Sequence, residues 1–80
     1  MRKYLFSQVI KYGTMKYNVI LKNGAKDVLN FWVGEFSSAH DAVLTHLAFD
    51  RRNKATITDA ETGDFRRYYW IGDKLNVSIL

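Results

Sequence analysis

The residues that could do chemistry in this chain are few, and the densest group is Arg66-Arg67-Tyr68-Tyr69-Trp70. On a strand it sets guanidinium groups beside aromatic rings, the combination that neutralises phosphates and stacks single-stranded bases. The same residue types form protein interface hot spots, and arginine over an aromatic ring is also ordinary sheet packing. The stretch does not match the signature strand of an RNA-recognition domain. His40 and His46 are six apart and the chain has no Cys, so no metal set is expected. His46 reads as a hydrogen-bonded residue at the core edge and His40 as an exposed residue of a first helical turn. Asp59, Glu61 and Asp64 lack the spacing of a calcium loop and read as a solvated turn. Ser37 and Ser38 fall where a helix should begin, so capping accounts for them. No set of acid, base and nucleophile is present, and no glycine-rich phosphate loop. A non-enzymatic protein with no cofactor is therefore expected.

Charge adds a second candidate. Residues 1–26 carry Arg2, Lys3, Lys11, Lys16, Lys22 and Lys26 with no acid, whereas the remainder holds six cations against eight acids. Two readings follow. Such lysines keep edge strands from pairing with other molecules, or they form an electrostatic docking surface for something acidic.

The scaffold that must position these groups is a single small domain. The chain has 80 residues, 48% of them hydrophobic and twelve of them aromatic, with neither Cys nor Pro. That excludes a disulfide framework and a zinc ribbon, and apolar burial has to hold the fold together. No stretch approaches the roughly 18 apolar residues of a membrane span. Neither a membrane nor an oxidising compartment is expected, and the cytoplasm is the default location.

Turn chemistry divides the chain. Asn23-Gly24 lies between two strand-like runs and reads as the centre of a tight hairpin. Glu61-Thr62-Gly63-Asp64 offers a longer hairpin loop with Gly63 in the left-handed position, and Gly72-Asp73 a third hairpin. Ser38 with Asp41 fits a capping box that opens a helix over 38–52, with Ala39, Ala42, Val43, His46, Leu47 and Phe49 on one arc and Leu44 extending it. Arg51 and Arg52 would favour its C-terminal dipole end. The fold class predicted is α+β: an antiparallel sheet of five to six strands, near 3–12, 15–22, 26–35, 55–60, 65–71 and 74–80, with one helix packed on one face. The whole of 1–80 forms the domain, with 15–80 as its compact core and 1–14 as an edge strand or N-terminal extension.

Alternation splits each strand into two faces. Tyr17, Val19 and Leu21, then Leu29, Phe31 and Val33, then Leu75, Val77 and Ile79 read as the side under the helix. Ile57, Phe65, Tyr69 and Ile71 are expected to join them, with Arg67 reaching the rim. The other face would carry Ile20, Val28, Trp32, Tyr68 and Trp70 among Lys16, Asn18, Lys22, Lys26, Asn30 and Arg66. One helix covers one side of a sheet, so that face needs residues 1–14, a second copy of the chain, or a partner. Lys16, Lys22, Lys26, Trp32, Arg66, Tyr68 and Trp70 are the expected partner-binding residues.

From Met15 onward the order of strand, Asn-Gly hairpin, strand, Ser-capped helix and three-stranded meander resembles small phage-encoded anti-CRISPR proteins of the ββαβββ type, in particular those acting on type I effector complexes. The resemblance implies a non-catalytic inhibitor in a bacterial cytoplasm that docks on a Cas subunit or effector complex and blocks guide or target DNA engagement. The basic balance departs from acidic DNA-mimicking members, which turns the expectation toward an acidic protein patch or the nucleic acid itself. Two further readings stand beside it: a small nucleic-acid-binding module using Arg66, Arg67, Tyr68 and Trp70, and a phage structural or assembly protein that self-associates as a homodimer through the same face.

Overall fold

A computed structural model of the protein describes residues 15–79. Its elements are β1 (Tyr17–Asn23), β2 (Lys26–Val33), α1 (Phe36–Leu47), β3 (Asn53–Asp59), β4 (Phe65–Ile71) and β5 (Lys74–Ile79). The strands form one antiparallel sheet in the order β2-β1-β3-β4-β5. The α+β class and a helix packed on one face of the sheet are as predicted, with one helix and five strands among the described residues. The strand expected over 3–12 lies outside them.

The β1–β2 turn is set one residue later than the Asn-Gly reading placed it. Asn23 pairs with Lys26, so Gly24 and Ala25 are the central residues, and only Gly24 has positive φ, at 61°. That is the pattern of a type II′ turn, which needs glycine at its first central position only. The β4–β5 turn repeats it with Gly72, at φ 59°. Asp59 organises the longer β3–β4 loop by accepting the Glu61 and Thr62 main-chain N–H groups at 2.8 and 3.2 Å. The acidic loop is thus the turn that the sequence indicated.

The helix is shorter and earlier than 38–52. It begins at Phe36, with extended Glu35 as its N-cap, and no side chain caps that end, so Ser38 sits inside the first turn and the capping box is not formed. Packing of the Phe36 ring edge-on to Tyr17 favours the earlier start. The end is set by competition for carbonyls. Trp70 Nε1 donates to the Leu47 carbonyl at 3.0 Å and Asn53 Nδ2 to the His46 carbonyl at 2.7 Å. Asp50 Oδ1 then accepts the Arg52 N–H at 2.9 Å, a local bond that diverts the backbone from helix. Arg51 and Arg52 consequently stand in the turn after the helix.

Val19, Leu21, Ala39, Val43, Leu47, Ala55, Ile57 and Tyr68 form the buried core between α1 and the middle of the sheet. Twelve helical residues span only that middle, packing on β3 and β1 and more lightly on β2. Leu75, Val77 and Ile79 face the helix side but lie past its reach and stay exposed, as do Leu29 and Leu44. Phe49, expected on the buried arc, follows the end of α1 and is 81% exposed.

Candidate functional site: two faces of the sheet

Directly opposed residues of an antiparallel pair point to the same side, so the β3–β4 register decides what each face carries. Ala55 opposes Tyr68 and Ile57 opposes Arg66. Ala55 and Ile57 are core residues, which places Arg66, Tyr68 and Trp70 on the helix side. This reverses the expected faces for β4: Phe65, Arg67, Tyr69 and Ile71 belong to the open side.

The helix-side set is built into the core. Tyr68 is 2% exposed and cannot meet a partner. Burial pushes its phenol upward from the ordinary tyrosine range, with the Arg66 charge pulling the other way. His40, expected to be exposed, is half-buried, stacked on Phe36 with ring centroids 5.6 Å apart and edge-on to Tyr68 at 5.9 Å. The Arg66 guanidinium lies 4.8 Å from the Phe36 ring centroid, and that of Arg51 4.1 Å from the centre of the Trp70 ring. Trp70, tied to Leu47, fixes the end of α1. His46 meets its expected role, because its Nε2 lies 2.8 Å from the Lys22 carbonyl, which can only accept, so the Nε2–H donates.

The open side carries a different population. Across the strands Trp32, Asn18, Thr58 and Phe65 form one row; Asn30, Ile20, Thr56, Arg67 and Ser78 form the next; Lys22 and Lys54, then Tyr69 beside Asn76, form a third. Trp32 is 51% exposed. Arg67 lies 5.8 Å from the Phe65 ring centroid, and Tyr69 Oη shares a 2.9 Å hydrogen bond with Ser78 Oγ. Asn18 Nδ2 donates to Asn30 Oδ1 at 2.8 Å. At strands 4.7–4.9 Å apart, Trp32 and Phe65 stand about 14 Å from each other, with a polar Asn and Thr between them.

Of the seven residues nominated from sequence, Lys22 and Trp32 lie on this face. Lys22 bonds Asp27 at 3.5 Å beside the bulge in β2, and Lys16, just before β1, bonds Glu61 at 3.3 Å. The Glu61 carboxylate raises the Lys16 ammonium above its ordinary range, first by hydrogen bonding and then by charge. Lys26 pairs with Asn23 at the hairpin end and therefore lies on the helix side, as Arg66, Tyr68 and Trp70 do. Arg67, expected only for the nucleic-acid-binding reading, also lies here, whereas Phe65, Tyr69 and Lys54 are open-side residues that no reading nominated. Set against protein-family models, curated proteins and solved structures, the chain matches none. Among the described residues no helix is long and apolar enough to cross a membrane.

Proposed function

We propose that this protein is a non-catalytic module that binds single-stranded nucleic acid across the open face of its sheet. The observation that carries the reading is the placement of Trp32, Phe65 and Tyr69 around Arg67, Lys22 and Lys54, with short polar side chains between them. Separated rings offer stacking surfaces to successive bases, and cations between them meet the backbone phosphates. Charge complementarity supports an anionic occupant: the face's strand residues include Lys22, Lys54, Arg67 and Lys74 against Asp27. A second copy of the chain would bring like charge to the same surface.

A second reading has support from the observed strand-strand-helix-strand-strand-strand order, the order on which the likeness to anti-CRISPR proteins rests. In it the same face docks on a CRISPR effector complex in a bacterial cytoplasm and blocks guide or target engagement.

Fluorescence anisotropy with labelled single- and double-stranded oligonucleotides, at stepped salt, separates these readings. The proposal predicts binding of the single strand by the protein alone, with affinity falling steeply as salt rises. No binding at low salt overturns it. Capture of a purified effector complex in that case favours the inhibitor, whereas a tight dimer with protected tryptophans favours self-association.

A further inference from the structure

The β3–β4 ladder runs from Thr58–Phe65 to Ala55–Tyr68 and stops there, although both strands continue. Beyond that point Lys54 and Asn53 remain paired with β1, and Tyr69 and Trp70 with β5. The sheet is therefore intact on either side of a split. Separate ties anchor the two lips: Trp70 to the Leu47 carbonyl, and Asn53 to the His46 carbonyl and, through its Oδ1, to Asn23 Nδ2 at 2.6 Å.

The split opens into a cleft of about 470 Å³, whose lining includes Arg51, Arg52, Lys54, Arg67, Tyr69 and Trp70. Pockets of roughly 300–1,000 Å³ suit small-molecule ligands. Asp73 stands 3.9 Å from Arg51 and Asp50 3.2 Å from Arg52. Among the described residues no carboxylate lies within ion-pair distance of Lys54 or Arg67, and residues 1–14 contain neither Asp nor Glu. A second depression of about 260 Å³ shares Lys54 and Arg67 and leads past Lys22 and Thr56. The cleft is thus continuous with the open face.

We infer that this cleft seats one phosphorylated nucleotide, its phosphate among Arg52, Lys54 and Arg67 and its base against Tyr69. Lys54 and Arg67, without a carboxylate partner among the described residues, face the same small space as Arg52 and call for an anion, and a phosphate accepts from several forked donors at once. The adjacent phenol ring supplies a stacking surface. The inference deepens the open-face reading and rests on it for the nucleotide as phosphate source; a strand and a free nucleotide offer the same chemistry.

Amide NMR with adenosine monophosphate, adenosine, inorganic phosphate and a ten-nucleotide single strand is the test, with Trp32 reporting the open face and Lys54, Tyr69 and the Trp70 indole reporting the cleft. Adenosine monophosphate should shift the cleft resonances saturably and bind at least tenfold more tightly than adenosine. Arg52→Ala and Lys54→Ala, each checked for a native spectrum, should weaken it severalfold. Equal affinity for the two nucleoside ligands overturns the phosphate seat. Shifts at Trp32 with the strand, but none in the cleft with any phosphate ligand, overturn the cleft and leave the open-face reading standing. Cleft shifts with adenosine monophosphate and no strand binding keep the cleft for free nucleotides and remove that reading. Silence from every ligand removes both.

Discussion

β4 presents nearly the same chemistry to its two sides. Arg66, Tyr68 and Trp70 face the helix, while Phe65, Arg67 and Tyr69 face the other way. Each set has one guanidinium, one phenol and one further aromatic ring. The first set is consumed by structure: a buried phenol, an indole bonded to the end of a helix, and an arginine over Phe36. The second is not covered by the helix and lies among Lys22, Lys54 and polar side chains. An arginine-aromatic stretch therefore has no role of its own; the register with the neighbouring strand assigns one half to the core and leaves the other uncovered by the helix, where the proposed binding would use it.

The largest expected break in this contrast is Tyr68→Ala. Removing a fully buried aromatic should cost about 3–5 kcal/mol, enough to leave so small a domain largely unfolded, as chemical denaturation would report. Arg67→Ala should change unfolding free energy by less than about 1 kcal/mol, since exposed charges contribute little.

Trp70→Phe sharpens the comparison without emptying the core. It deletes the Nε1–H donor, leaving the Leu47 carbonyl without that partner, and weakens the stack with Arg51. A loss of about 1–2 kcal/mol is expected from the missing hydrogen bond and weakened cation–π contact, readable as a lower denaturation midpoint with an unchanged slope.

A smaller effect concerns alkaline pH. Burial raises the folded-state pKa of Tyr68, so the unfolded chain deprotonates first. The stability this represents is complete below the ordinary tyrosine range near pH 10 and is lost as pH climbs from there through the folded value. Tyr68→Phe should flatten that decline, seen in unfolding curves between about pH 9 and 11.

Much of the fold was legible because its signals are local. Glycine positions marked three hairpins, and apolar spacing marked Ala39, Val43 and Leu47 as the helix's inner stripe. The helix ends were not legible, since Trp70 and Asn53, remote in sequence, take the carbonyls that close it. The face of β4 was misread because Phe65, Tyr69 and Ile71 form the more apolar alternate set. A signal did exist. With Gly72-Asp73 as a two-residue turn, Trp70 must oppose Leu75 and Tyr68 must oppose Val77, so placing Leu75, Val77 and Ile79 under the helix already required Tyr68 and Trp70 there. Lys54 carried no mark in the sequence; its place in the proposed site comes from the split in the ladder beside it.

The central claim is that the two arginines of β4 have different work, and a paired titration reads it directly. Measure single-strand affinity for Arg67→Ala and Arg66→Ala at one low salt concentration, after confirming that both fold. The account predicts a loss of about tenfold for Arg67→Ala, equivalent to about 1.4 kcal/mol, and less than about twofold for Arg66→Ala. Equal losses, or a larger loss from Arg66→Ala, would contradict it.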